Sequence, residues 1–413
     1  MNTHILLIAD GRSATTKRWI DMLHSLDFRV SLVSTYPLTS KPDIEQIFIL
    51  PVAFSAAGGD SKNSSLDNPN NQAGKNWKKM LIQHARPIVM KVRYVLGPTT
   101  LSKYQQALLK IISETKPDLV HALRIPYEGM LASITPQEIP LLVSVWGNDF
   151  TLHANANRTM KNLTEQVMRR ANGVLADVHR DINLAHQWGF SENKPSLVVP
   201  GGGGILFNEI EAAKHVDIPN LNLPPDAPVI INPRGIRAYA QTDVFFQSIP
   251  LVLKKLPNAI FLCPGMEGKP EAHQWVDRLR IKDHVFLLPT LPQDILWSTF
   301  HRSQISVSIT THDGTPNTLL ETMACGCFPI VGDIESIREW ITPGVNGFLV
   351  SPHSPQELSN AIITAYENPE IRRKAKKINK ELVISRADSK LVRDYLALFY
   401  SKFKSNNSSH TSL

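Results

Sequence analysis

The feature that most constrains this chain is an alternation of short apolar runs with helix-spaced segments, carried through twice and broken once by four consecutive glycines, Gly201 to Gly204. In the first series, His4 to Ala9 (HILLIA) closes on Asp10-Gly11, and Thr16 to Leu26 carries helical spacing at Trp19, Ile20, Leu23 and Leu26. Phe28 to Ser34 (FRVSLVS) then returns to strand. Ala107 to Ile112 before the apolar Leu119-Val120, and then Leu141 to Val145, continue the pattern. The second series runs through Val229 to Asn232, Ala259 to Cys263, Val285 to Leu288, Ile305 to Ile309 and Cys327 to Val331. Strands alternating with helices imply βαβ units and a parallel sheet. The predicted fold class is therefore α/β, with two Rossmann-like, doubly wound lobes facing each other across a cleft. The expected division is 1–200, 201–385 and a C-terminal helix over 386–404 that packs back on the first lobe. Ser55 to Asn76, rich in Ser, Asn, Gly and Asp, reads as a mobile loop, and Ser405 to Leu413 as a fraying tail.

Composition narrows the class. With 42% hydrophobic and 20% charged residues over 413 positions, the chain is neither disordered nor fibrous. No apolar run is long enough to span a bilayer, and Ile5 to Ala9 is too short for a secretory leader, which points to the cytoplasm. The three cysteines, Cys263, Cys325 and Cys327, suit neither a disulfide framework nor a zinc knuckle, and read as reduced core residues. Net charge is +7, and the first 200 residues hold nearly all the excess, with 22 Lys and Arg against 16 Asp and Glu. A basic half attracts phosphate-rich partners without choosing among them.

The chemistry concentrates in Thr311 to Pro329, THDGTPNTLLETMACGCFP, which sets a small-residue loop between a strand and a helix starting near Asn317. The unpaired amides and dipole at such a helix start favour an anion by about 0.3 to 2 kcal/mol. Gly314 permits close backbone approach. Glu321, one turn in and on the side of Asn317, could accept hydrogen bonds from vicinal hydroxyls such as a ribose's. The competing reading is an ordinary loop-helix junction, with Asp313 or Thr315 as cap and Glu321 as a solvated charge.

Asp313 to Gly326, with PGVNGFLV at Pro343 to Val350, resembles glycosyltransferase family 4, the retaining nucleotide-sugar enzymes of the GT-B fold. Asp313 and Glu321 have the separation of that family's paired acids, although the family generally has Glu at the first. The resemblance implies that Glu321 holds the ribose and that Gly314, Thr315, Pro316 and the amides of Asn317, Thr318 and Leu319 hold the diphosphate. Asp313 then lies beside the transferred sugar. NPRGIRAY at Asn232 to Tyr239 is similar to the family's diphosphate clasp: Arg234 fits the arginine, Tyr239 stands where a lysine is usual, and Arg237 or the Tyr239 hydroxyl compensates. In the first half, PDLVH ending at His121 and LLVSVWGNDF ending at Phe150 resemble acceptor-side strands, with His121, Trp146 and Asn148 on the acceptor side. Asp149 is the candidate to orient or deprotonate the acceptor hydroxyl. Gly11 and Arg12 match the loop facing the donor phosphates, and Gly201 to Gly204 the interlobe turn.

The resemblance implies transfer of a sugar, with retention, from a nucleotide diphosphate donor to a hydroxyl of a glycan or lipid-linked acceptor in cell-surface polysaccharide or glycolipid synthesis. Catalysis falls to Asp313, Asp149 and Arg234, with no metal and no other cofactor. A GT-B nucleotide-sugar epimerase and a catalytically silent sugar-binding protein are the alternatives. Lys75 to Lys110 holds eight Lys and Arg and no acid, interleaved with apolar residues. It reads as a surface for anionic lipid that would hold the protein peripherally at the inner membrane face, or as a solvated helix or acceptor-cleft loop. No nucleic-acid recognition module is present.

Overall fold

A computed structural model describes residues 3–38, 44–55, 90–216, 218, 221, 223–224, 226–237 and 239–403. They divide into two compact units: Asp177–Arg180 with Val199–Tyr395 form the second, and the remainder, including the chain from Leu396 onward, form the first. Most of the Ser55 to Asn76 loop, the tail from Ser405, and residues 75–89 of the basic segment lie outside the described residues.

The first unit is a seven-stranded parallel sheet of β1 (His4–Ala9), β2 (Arg29–Ser34), β3 (Gln46–Ile49), β4 (Leu119–Ala122), β5 (Leu141–Val145), β6 (Gly173–Ala176) and β7 (Ser196–Val198). Their order is β3-β2-β1-β4-β5-β6-β7, and Ile5 pairs with Val30 on one side and Leu119 on the other. Every residue of β1, β4, β5 and β6 is buried, as helices on both faces of a parallel sheet require. Local signals place those helices. Ser13 caps Ala14–Ser25 by accepting from the Thr15 amide, and Thr99–Thr115 stops where Lys116 turns left-handed at φ 46°. The sequence reading anticipated β1, β2, β4 and β5 but not β3, β6 and β7, which are three or four residues each.

The second unit repeats the winding with β8 (Val229–Ile231), β9 (Ile260–Pro264), β10 (Val285–Leu288), β11 (Ile305–Ser308), β12 (Phe328–Gly332) and β13 (Phe348–Val350), in the order β10-β9-β8-β11-β12-β13. Two apolar clusters sandwich this sheet, one around Phe245, Phe246, Phe261 and Phe328, the other around Trp297, Phe300, Met323 and Trp340. Helix Asn317–Cys325 ends on Gly326 at φ 91°, where a Cβ would fall 2.6 Å from Lys376 Cε. All three cysteines are free and buried, and burial pushes the Cys327 thiol up to about 12.

In each sheet the order reverses once, between β1 and β4 and between β8 and β11. Loops leaving adjacent strands there diverge to opposite faces and open a crevice beyond the carboxyl ends, the usual ligand position in this architecture.

Candidate active site

In the second unit, Arg234 follows β8 and Asp313 to Thr318 follow β11, so the strand-order reversal brings both segments of the anticipated donor site together. Asn232 Oδ1 accepts from the Arg234 amide at 3.1 Å and fixes the turn. The buried Arg234 guanidinium pairs with Asp313 Oδ2 at 2.6 Å and donates to Thr318 Oγ1 at 3.3 Å. Its Nε is buried with no partner among the described residues, so donor capacity remains at this cation.

Asp313 is held from behind. Ser336 Oγ donates to its carbonyl at 2.7 Å, and its own Oδ1 accepts from the Gly314 amide at 3.2 Å. Thr315 is equally fixed: Trp340 Nε1 donates to its hydroxyl at 2.8 Å, and that hydroxyl donates to the Asp177 carbonyl. Helix Asn317–Cys325 then begins on Pro316 with no side-chain cap. The Leu319 amide already donates to the Pro316 carbonyl at 2.9 Å, which leaves the Asn317 and Thr318 amides, not all three anticipated donors, as the open pair. Gly202 sits against Asn317 so closely that a Cβ would fall 2.2 Å from Asn317 Nδ2.

Glu321 is 5% exposed and accepts from Gln293 Nε2 at 2.9 Å. A carboxylate so desolvated is a positioned group rather than the solvated charge of the competing reading. Arg237 is exposed and donates to the Tyr239 hydroxyl at 3.1 Å, so the two residues expected to replace the lysine form one unit. Gln293, at the start of the helix Gln293–Arg302, and Ser336 and Trp340, at the two ends of the turn Ile337–Glu339, orient the site and left no mark in the local sequence pattern because they lie far from it in the chain.

The first unit holds a cavity of about 210 Å³ at the carboxyl ends of β1, β4 and β5, with Asp10, Arg93, Arg124, Tyr127, Glu128 and Trp146 in its wall. Arg12 makes a two-pronged pair with Asp10, both contacts at 3.1 Å, and its guanidinium lies 3.7 Å from the Tyr36 ring centre. Gly11, whose amide donates to Ser34 Oγ, admits no side chain, since a Cβ would meet that oxygen at 2.8 Å. Arg124 lies over the Trp146 ring at 5.3 Å. Asn148 precedes the turn Asp149–His153 and offers it no side-chain cap.

Two anticipated acceptor-side residues are placed elsewhere. Asp149, 1% exposed, is outside the cavity wall: Arg124 donates to Oδ1 at 2.9 Å, and the Ile125 and Trp146 amides donate to Oδ2 at 3.1 and 3.2 Å. These three bonds tie it to both loops, so in this structure it positions Arg124 and Trp146 from beneath the cavity wall. His121 lies within β4, fully buried, bonded to Ser144 Oγ at 2.9 Å and the Tyr400 hydroxyl at 2.7 Å. Burial pushes its pKa down to about 3, so it is a neutral core residue.

Besides Asp10, the cavity wall carries the carboxylate of Glu128, which accepts from Thr35 Oγ1 at 2.7 Å. Burial is the largest influence on it and pushes its carboxyl above the ordinary range, against the pull of Arg124. Glu128 follows Tyr127, a non-glycine residue at φ 71° and ψ −48°, a conformation costing of order 1–3 kcal/mol, held by the Tyr127 hydroxyl's bond to the Arg93 carbonyl at 2.8 Å. No helix among the described residues is long and apolar enough to cross a membrane.

Two family models match in succession, "Glycosyl transferase 4-like" over residues 82–178 and "Glycosyl transferases group 1" over residues 214–382, together more than half of the chain. A D-inositol 3-phosphate glycosyltransferase of Streptosporangium roseum is 24% identical over 218 residues, 50% of this chain and 49% of that one, so the chain spans about half the length of the curated relatives it matches. Among solved structures, a sucrose-phosphate synthase from Thermosynechococcus elongatus matches with a TM-score of 0.72 at 15% identity, covering 97% of this chain and 99% of that one. Anabaena HepE in complex with UDP matches at 0.68 and 15% identity, covering 97% and 100%. Both structural likenesses concern the fold, which is GT-B, and with the two family matches they assign the molecule: the chain belongs to the group 1 glycosyl transferases.

Proposed function

We propose that this protein transfers a sugar from a nucleotide diphosphate donor to a hydroxyl of a glycan or lipid-linked acceptor, with retention at the sugar carbon. The observation that carries the reading is the set of groups at the second reversal point: a buried arginine with unspent donor capacity, an uncapped helix start and a buried carboxylate one turn in. The Asn317 and Thr318 amides and Arg234 would receive the diphosphate, and Glu321, steadied by Gln293, the ribose. The solved relative's UDP and UDP-glucose complexes support a nucleotide sugar as the donor class.

Transfer breaks the bond from the sugar carbon to the diphosphate oxygen and forms one to the acceptor oxygen. Negative charge gathers on the leaving phosphate, where fixed amides and a guanidinium stabilise it most effectively in a dry site. That phosphate takes the acceptor proton. Asp313 shares the guanidinium with the diphosphate and lies beside the sugar. In this mechanism the helix start and Arg234 fill the part a divalent metal plays elsewhere.

Donor hydrolysis and transfer across a panel of nucleotide sugars test the reading. Release of nucleoside diphosphate from one donor, rising when an acceptor is added, is the expected result. Interconversion of the donor with no release would identify the epimerase, and binding without turnover the silent binding protein.

A further inference from the structure

The group 1 assignment and the donor reading do not say what an acceptor must look like, but the first-unit cavity carries a pattern of charge that does. Two guanidiniums, Arg93 and Arg124, lie in its wall, and a third, Arg12, pairs with the lining residue Asp10. Arg12 is neutralised by Asp10 at 3.1 Å and Arg124 by the buried Asp149 at 2.9 Å. Arg93 has no carboxylate within ion-pair distance among the described residues; its Nη2 donates to the Tyr36 hydroxyl at 2.7 Å and its plane lies 4.8 Å from the Tyr127 ring centre. The remaining carboxylate, Glu128, is buried and shifted toward its neutral form. Arg93 is therefore the guanidinium of the cavity wall that no carboxylate pairs among the described residues.

Two further observations say that this charge awaits an acceptor of hydrogen bonds. The Nε atoms of Arg93 and Arg124 are both buried without partners among the described residues, and a bound hydrogen-bond acceptor is one way a native fold satisfies such groups. Both side chains are also held in place. Tyr36 and Tyr127 flank Arg93, and Trp146 underlies Arg124, so the donors are fixed before anything arrives. Two fixed guanidinium groups on a 210 Å³ cavity match a planar or tetrahedral oxyanion, while the tyrosine and tryptophan rings offer faces to the C–H side of a sugar or polyol ring.

We propose that the acceptor enters this cavity by an anionic substituent, a phosphate or a carboxylate, held by Arg93 with Arg124 beside it. The inference rests on the first unit being the acceptor side of the proposed transfer. Arg93 is the residue to vary. Removing Arg124 would strand Asp149, a buried carboxylate, and confuse binding with folding.

The experiment is calorimetric titration of the full chain with glucose 6-phosphate, glucuronate, inorganic phosphate and glucose, with saturating UDP to occupy the second unit. At least one anionic probe should bind ten times or more tightly than glucose, phosphate and carboxylate sources being separated by which of the first two wins. Arg93→Met should lose that margin at least tenfold while binding UDP as the wild type does, and Arg93→Lys should recover part of it. Anionic probes that bind no better than glucose, or that bind Arg93→Met unchanged, overturn the proposal. Failure of UDP itself to bind would instead overturn the donor reading on which it rests.

Discussion

Replacing Glu321 by glutamine tests the donor site at its most specific point. Glu321 accepts from Gln293 Nε2 at 2.9 Å, and in the proposed site a ribose hydroxyl would donate to the same ionised carboxylate. A glutamine must keep its carbonyl toward Gln293, because turning its amide there would set two N–H groups against each other. The ribose then meets an N–H₂ group where it had an acceptor. Bonds to a charged group contribute about 1.5–3 kcal/mol and neutral ones about 0.5–1.5, so losing charge and one acceptor together should cost about 2 kcal/mol, roughly 30-fold in Kd. Thermal stability should hardly change, since the bond from Gln293 and the side-chain volume persist. Titration with UDP, beside a thermal melt of the same variant, reads both quantities. An unchanged affinity in a well-folded variant would refute the ribose assignment, and with it the claim that burial of Glu321 serves a ligand.

Other perturbations separate chemistry from scaffold. Arg234→Ala should lower turnover at saturating donor about 100-fold with a smaller effect on KM, because charge on the leaving phosphate develops only as the bond breaks; turnover within twofold of wild type would make the arginine a bystander. Gly202→Ala should displace Asn317, whose Nδ2 would lie 2.2 Å from the new Cβ, and weaken UDP binding severalfold with little loss of stability, as paired titration and melting would show. His121 should make the fold acid-sensitive. Its folded pKa of about 3 lies below the ordinary 6.5, so the unfolded chain takes up the proton first, and the contribution is whole above pH 6.5 and lost as pH falls toward 3. The slope is about 1.4 kcal/mol per pH unit, measurable by urea unfolding at pH 7 and 5, and His121→Gln should flatten the dependence by one proton.

The legibility of this fold follows the length of its signals. β1 and the helix Ala14–Ser25 announce themselves because six consecutive buried residues and a capped amphipathic turn leave the composition little freedom. β3 is four residues with exposed ends, and β7 three with no fully buried one, so neither needs an apolar run. Such strands exist because their neighbours offer a register, which is tertiary information. The basic segment from Lys75 shows a similar limit for charge. Of its described members, Lys110 is paired with Glu114 on the surface while Arg93 turns inward between Tyr36 and Tyr127, so a run of like charge in sequence does not make one charged surface.

The two halves of the site differ in legibility for a physical reason. On the second unit, the anion cradle is built from a continuous stretch: a loop, a helix start and a residue one turn later lie within nine positions, so helix geometry sets Asn317 and Glu321 near one another and the short loop keeps Asp313 close to the helix start. Only Arg234 comes from elsewhere, and it sits just past the neighbouring strand. On the first unit the cavity is assembled from five separate segments, and a polar residue near a strand end has two destinations. Asp149 and Glu128 are each a few residues beyond a strand, β5 and β4. The first is drawn under the loops by two amides and a guanidinium, while the second is held at the cavity by one hydroxyl and a strained residue before it. What decides between them is how many donors await each carboxylate, a count set by backbone amides of distant loops and not by residue type. Arg93 and Glu128 are therefore cavity residues for the same reason that Asp149 is not: the fold leaves them fewer partners than their chemistry can use.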